Sequence, residues 1–373
     1  MQNKLFLLII FLSVFLSIQA KLNGEIRPGE VWMDNRGLPI NAHGGGILKF
    51  KDTYYWFGEY KSDTTSVAMV GVTCYSSKDL THWTYRGIAL PVSDKKGSDI
   101  ERGCILERPK VIFNARTGKF VMWFHLELKG HGYESARYGV AVSSTPAGPY
   151  RFVRSARSCP GVYPQNWKGC LDDSVCQAGL KMKWWTPEWK QLIRQGLFLQ
   201  RDLKQGQMVR DQTVFVDDDG KAYHIFASED NLTLQIAQLT DDYLDHNGMY
   251  WRVDAGGQNE APTVFKRDGL YWMITSGCTG WAPNKARMFW AKKITGPWTQ
   301  VDSPCRGPKA EITFGGQGTY VLKVKGGEKP LYIFMADIWR PKHPSDARYV
   351  WLPIDFRKGV PVISWVNSWK ICQ

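Results

Sequence analysis

Three carboxylates stand at equivalent places in this chain, each just before a short apolar strand. They are Glu107 in Glu107-Arg108-Pro109, Asp211 in Arg210-Asp211-Gln212, and Glu260 in Asn259-Glu260-Ala261-Pro262. His43, ahead of Gly44-Gly45-Gly46, and Gln317, within Gly315-Gly316-Gln317-Gly318, hold the corresponding places in two further segments. Acids gathered in one small cavity repel one another, and at least one is driven to keep its proton near neutrality. Such a set suits cleavage of a glycosidic bond. One protonated carboxyl gives its proton to the leaving oxygen, while other groups steer water or act as nucleophile. Glu260 is the expected acid, raised by burial and by Asp211 on the neighbouring segment. Any one of these acids could simply cap the start of its strand, but that reading accounts poorly for three in register.

Residues this far apart meet only if the fold brings them together, and the sequence repeats supply the means. Five times a short apolar run leads through a tight polar turn into an aromatic run. The pairs are Ile47–Phe50 with Tyr54–Phe57, Val111–Phe113 with Phe120–Phe124, and Val214–Val216 with Tyr223–Phe226. Thr263–Phe265 with Tyr271–Ile274, and Tyr320–Leu322 with Leu331–Phe334, complete the set. Asp217-Asp218-Asp219-Gly220 is one such turn, and a third strand-like run follows every pair, as in Val70–Thr73 and Met288–Ala291. One unit cannot bury both faces of its own sheet, so repeated units pack around an axis. The predicted fold is all-β: a five-bladed β-propeller over residues 21–373, with innermost strands opening at one end of a shared channel.

The longest interval between aromatic strands falls between blades two and three, which predicts a partly helical insertion at about 155–207. Its middle reads as a short helix, with Thr186 as N-cap, Pro187 at the first helical position and Gly196 past the end. A long ordered segment here is either a wall beside the axial site or a structural clasp. Residues 1–20, with Lys4, an apolar run to Phe15 and a small-residue end at Ala20, read as a secretory signal. The expected location is therefore secreted or periplasmic, with no membrane attachment after cleavage. The eight cysteines all lie beyond that segment, where disulfides are permitted, and Cys159, Cys170 and Cys176 are close enough in sequence for a local bridge. The formal charge of +13 is scattered rather than gathered, which reads as a solvated basic surface and not a nucleic-acid site. The expected partner is a polysaccharide or oligosaccharide, and the protein is expected to act as a monomer. No cofactor is expected, and no catalytic metal; a structural calcium is the one ion left open.

The motifs also resemble a known family. Arg210-Asp211 before Val-Phe-Val-Asp-Asp-Asp-Gly, Asn259-Glu260-Ala-Pro, and Gly-Pro-Trp at 296–298 are similar to glycoside hydrolase family 43. That resemblance implies a five-bladed propeller that inverts anomeric configuration, with Glu260 as acid and Asp211 as its modulator. The family's base, an Asp opening the first blade, has no counterpart here, because Ala42-His43-Gly44-Gly45-Gly46 stands in its place. The subgroup resembling exo-β-1,3-galactanases shares this loss, together with Gly58-Glu59, Thr279-Gly280-Trp281 and a Gln in blade five. By that likeness the water-activating group is Gln317 or Glu107. Glu59, His43, Asn231 and Thr279 are expected to contact sugar hydroxyls, and Tyr133 and Trp281 to form stacking walls. The expected activity is release of galactose from β-1,3-galactan. The alternatives are an α-L-arabinofuranosidase or β-galactofuranosidase of the same family, and a sugar-binding propeller without catalysis.

Overall fold

The computed structural model describes residues 24–169 and 171–371, so the predicted signal segment, Cys170 and Cys372 lie outside the described residues. Five antiparallel sheets follow one another in chain order. Blade one runs through His43–Phe50, Thr53–Glu59, Gly71–Ser77 and Thr84–Pro91. Blade two begins with Ile105–Asn114, blade three with Gln212–Val216, blade four with Asn259–Arg267 and blade five with Gln317–Val324. These five strands are the innermost of their sheets and touch one another in cyclic order, the fifth returning to the first. Each blade also has an outer fourth strand that the repeat pattern did not reveal. In blade five, Cys305–Arg306 adds a further strand, parallel to Val360–Ser364. The ring closes where Glu25–Ile26 pairs with Trp369–Lys370.

What holds the ring together is apolar packing between blades rather than within them. Phe57 and Val72 of blade one meet Phe120 and Met122 of blade two. Trp123 meets Phe226 across the next boundary, and Ile225 meets Met273 across the third. At the closing boundary Trp56 and Tyr75 pack against Met335, Tyr349 and Trp351. Trp56 is 1% exposed and lies edge-on to Tyr349 at 4.5 Å. An aromatic side chain buries about 150–250 Å², roughly 4–6 kcal/mol at about 25 cal/mol per Å². Surface ion pairs contribute about 0–1 kcal/mol each, so the aromatic strands dominate.

The insertion between blades two and three carries three helices, Asp173–Leu180, Pro187–Arg194 and Leu197–Asp202. The middle one begins as the sequence indicates: the Thr186 hydroxyl accepts from the Trp189 amide at 3.2 Å, and Pro187 opens the helix. Trp189, Ile193, Leu197 and Phe198 form a small core that includes Leu232 of blade three. Buried Arg252 locks this unit in place. It pairs with Glu229 at 2.7 Å and donates to the carbonyls of Ile193 and Arg194. The insertion is thus a clasp on blade three. Its link to the axial site is indirect, through Arg201, which pairs with Asp230 at 2.7 Å beside Asn231.

Candidate active site

The innermost strands share a local device at the mouth of the channel. In blades one, two, four and five the strand register breaks just after the mouth residue, between His43 and Gly46, Glu107 and Lys110, Glu260 and Thr263, and Gly318 and Tyr320. Such bulges bend a strand and re-aim the side chain before them. The residue that follows is left-handed in three blades: Gly44 at φ +61°, Arg108 at +51° and Ala261 at +53°. For non-glycine residues this backbone costs about 1–2 kcal/mol, and here hydrogen bonds hold it. The Ala261 amide donates to Asp211 Oδ2 at 3.0 Å, and the Arg108 amide to Glu59 Oε1 at 3.0 Å.

A cavity of about 390 Å³ opens over these strands, lined by Glu59, Glu107, Asp211, Glu260, Gln317 and Asn231, with Tyr133 and Trp281 at its rim. Residues 45% and 50% exposed, these two aromatics are free to stack on a sugar face. Glu260 Oε2 accepts from Asn231 at 3.2 Å, and Oε1 from the Gln317 amide at 3.2 Å. Burial, then the charge of Asp211, pushes the Glu260 carboxyl up to about 7, against the pull of Arg108. Asp211 is fixed from two sides, by the Ala261 amide and by Arg108 Nε at 2.7 Å. Gln317 is committed at both ends of its amide. Its oxygen accepts from Arg108 at 2.6 Å and from Trp339 at 2.8 Å, and its nitrogen also donates to Ser276 at 2.9 Å.

On the opposite wall Glu107 is the contrasting carboxylate. Its Oε1 accepts from the Tyr133 hydroxyl at 2.9 Å, and its Oε2 lies 3.1 Å from His125 Nδ1. Burial opposes its charge, yet His125, Lys61 and Tyr133 bring it down to about 2. Glu59 is buried beside them, 2.6 Å from Lys61, and burial raises its carboxyl above the ordinary value despite that ammonium. Glu260 therefore tends to keep its proton near neutral pH while Glu107 across the cavity is ionised. That is the division of labour general acid–base chemistry needs.

The structure gathers the sequence-predicted residues at this cavity with two exceptions. His43 does not line it. Its ring stacks on Trp339 at 5.8 Å and lines a neighbouring cavity of about 220 Å³ with Lys61, Asp63, Arg340 and Pro344. Trp339, Trp281 and Lys61 border both cavities. Thr279 is also elsewhere: its hydroxyl donates to the Ala282 carbonyl at 2.6 Å, closing a turn that faces a separate groove. Arg108, Lys61, His125 and Trp339 line the catalytic cavity without having been anticipated. Arg108 was adjacent to a flagged carboxylate. His125 sat inside an aromatic strand, where a lone histidine looks like core.

Among the described residues one group has metal-ligand spacing, with atoms of Glu107, His125 and Asp211 within 4.8 Å of one another. His125 turns both nitrogens to carboxylates and Asp211 gives an oxygen to Arg108, so protons and a guanidinium already occupy those donors. This chemistry fits a metal poorly. Of the cysteines expected to form a local bridge, Cys159 carries a free thiol, as do Cys74, Cys104, Cys278 and Cys305, and Cys170 lies outside the described residues.

A five-bladed propeller with acidic and ionised carboxylates facing each other under aromatic walls defines a carbohydrate-cleaving enzyme. Residues 183–338 match the family described as Glycosyl hydrolases family 43. Among solved structures, the chain is 57% identical to a family 43 β-1,3-galactosidase bound to galactodeoxynojirimycin, with a TM-score of 0.87, covering 92% of this chain and 100% of that one. It is 35% identical to an exo-β-1,3-galactanase from Clostridium thermocellum, with a TM-score of 0.77 over 94% of this chain and 67% of that one. It is 31% identical to an exo-β-1,3-galactanase from Phanerochaete chrysosporium bound to β-1,3-galactotriose, with a TM-score of 0.75 over 93% and 68%. No curated protein sequence matches the chain. The chain belongs to glycoside hydrolase family 43 and is a glycoside hydrolase.

Proposed function

We propose that this protein is an exported, inverting exo-glycosidase that removes galactose from β-1,3-linked galactan. The observation that carries this reading is the placement of Glu260, pushed up to about 7 beside an anchored Asp211. The substrate reading is supported by the 57% identical β-1,3-galactosidase and the two exo-β-1,3-galactanases. In the mechanism Glu260 gives its proton to the glycosidic oxygen as the bond to the anomeric carbon breaks. A water on the other face forms the new bond to that carbon and releases a proton. Of the two groups considered for activating that water, Glu107 is better suited. It is an ionised carboxylate with lone pairs to spare, whereas the Gln317 amide already uses its oxygen twice and its nitrogen twice. Gln317 then serves to hold Glu260. Asn231 Oδ1 and Arg210 Nε, buried and without partners, are suited to sugar hydroxyls. A hydroxyl that satisfies such groups is recognised strongly, because its loss leaves them unpaired.

The test is a product assay on β-1,3-galactan, arabinan and aryl furanosides, with the first-formed anomer followed by NMR. Galactose released from galactan, first as the α-anomer, is expected. Arabinose release in preference to galactose, or a β-anomer formed first, overturns the substrate or the stereochemistry.

A further inference from the structure

Behind Glu107 lies a side chain that neither the sequence motifs nor the mechanism above requires. His125 is 1% exposed and its two ring nitrogens face two different carboxylates, Glu107 Oε2 at 3.1 Å and Glu127 Oε1 at 2.8 Å. An imidazole with an acceptor at each nitrogen satisfies both only when both carry protons. The ring is therefore an imidazolium, buried in the cavity wall. Burial works against that charge, and the flanking carboxylates outweigh it, raising the ring to about 9. Glu127 is itself 0% exposed and fixed by the Ala136 amide at 2.7 Å, so the ring cannot swing away. The other groups facing Glu107 are Tyr133, which donates to it, the Lys61 ammonium, and the Asp211 and Glu59 carboxylates. Two of these neighbours are anionic, and the nearby Lys61 and Arg108 cations are themselves paired with Glu59 and Asp211, so loss of the cation behind it would raise Glu107.

We infer that His125 and Glu127 are positioning residues which keep Glu107 ionised and aimed into the sugar cavity, making the Glu127–His125–Glu107 line the water-activating arm of the enzyme. This rests on the glycosidase reading above, in which Glu107 takes the proton from water. Glu127 fixes the charge of the ring, the ring fixes the charge and direction of Glu107, and neither touches the substrate.

Two readouts test it. With His125→Gln, a neutral side chain of similar reach, the acid limb of kcat/KM should rise by at least one pH unit, with the loss relative to wild type growing as pH falls through that limb. KM should change less than threefold. Glu127→Gln should move the same limb in the same direction by a smaller amount. A purely structural role predicts lower thermal stability with both pH profiles unchanged, and that outcome overturns the proposal. Should His125→Gln fail to fold, ¹⁵N NMR of the wild-type histidine rings decides the matter without any activity measurement. Both nitrogens of His125 protonated at pH 7 is the expected result, and a neutral ring overturns it. Because this signal is independent of turnover, it also separates failure of the relay from failure of the glycosidase reading.

Discussion

In the proposed mechanism catalysis turns on Glu260, and its neighbour Asp211 sets its working range. On that mechanism the enzyme with Glu260 protonated is the active form, so kcat/KM should fall as pH rises through about 7. The Asp211 anion makes ionisation of Glu260 harder. Replacing it by Asn therefore lowers the Glu260 pKa, and the alkaline limb should move to lower pH by about one unit or more. A pH–rate profile of Asp211→Asn checks this, and an unmoved limb contradicts the tuning role. The acids were legible in the sequence because each precedes a strand in register with the repeat. Arg108 was not, although it binds Asp211, Gln317 and the Gly318 carbonyl at once. A basic residue beside an acid reads as a local pair until the third dimension shows which acid it serves.

At the scale of the elements, the bulged innermost strand is the device that turns a propeller blade into a wall of a site. Gly44 shows how little room it leaves. At φ +61°, a Cβ there would stand 2.8 Å from Glu59 Oε1 and 3.2 Å from the Arg108 backbone. Gly44→Ala should cost more than about 1 kcal/mol of stability and reduce kcat/KM at least tenfold by displacing Glu59 and Arg108. Gly37→Ala is the control, since Gly37 has φ +72° but open space around its Cβ. It pays the backbone term alone, and activity should survive. Equal activity losses in the two variants would show that the close approach at Gly44 is immaterial. The aromatic strands, the turns and the Thr186 cap were visible as sequence patterns because each depends on neighbours in the chain. The placement of His43 was not. It depends on Trp339, nearly three hundred residues away, whose indole takes the ring as a stacking partner. The flanking helices Asp173–Leu180 and Leu197–Asp202 also escaped notice, since they gain their stability from packing on blade three rather than from caps of their own.

For the molecule as a whole, the blade interfaces bury ionisable groups whose charge states decide when the ring opens. His43 and His246 are held down to about 3 by burial, and His224 lies well below its ordinary value, so all three fold as neutral rings. Unfolded, each would take a proton below about 6.5. The stability they supply is whole above that pH and is lost as pH falls toward 3. Glu107, brought down to about 2, adds to the loss at the acid end. Glu260 and Asp337, raised to about 7, act in the other direction: their contribution is whole at low pH and is lost as pH rises through 7. The two sets oppose each other between about pH 4.5 and 6.5. Tm should be nearly flat there and drop below pH 4.5. His43→Phe, which keeps a ring against Trp339, should lessen that drop in a calorimetric pH series. A slope identical to wild type would remove His43 from the account.

The central step of the proposed mechanism is proton donation by Glu260, and leaving-group dependence reads that step directly. Glutamine at position 260 keeps the shape and removes the proton. On β-1,3-galactan, where the leaving oxygen needs a proton, Glu260→Gln should lower kcat about 10²–10⁴-fold. On a dinitrophenyl β-galactoside, whose leaving group departs as a stable anion, the loss should be less than tenfold. Equal losses on both substrates, or near wild-type turnover of galactan, would contradict the assignment.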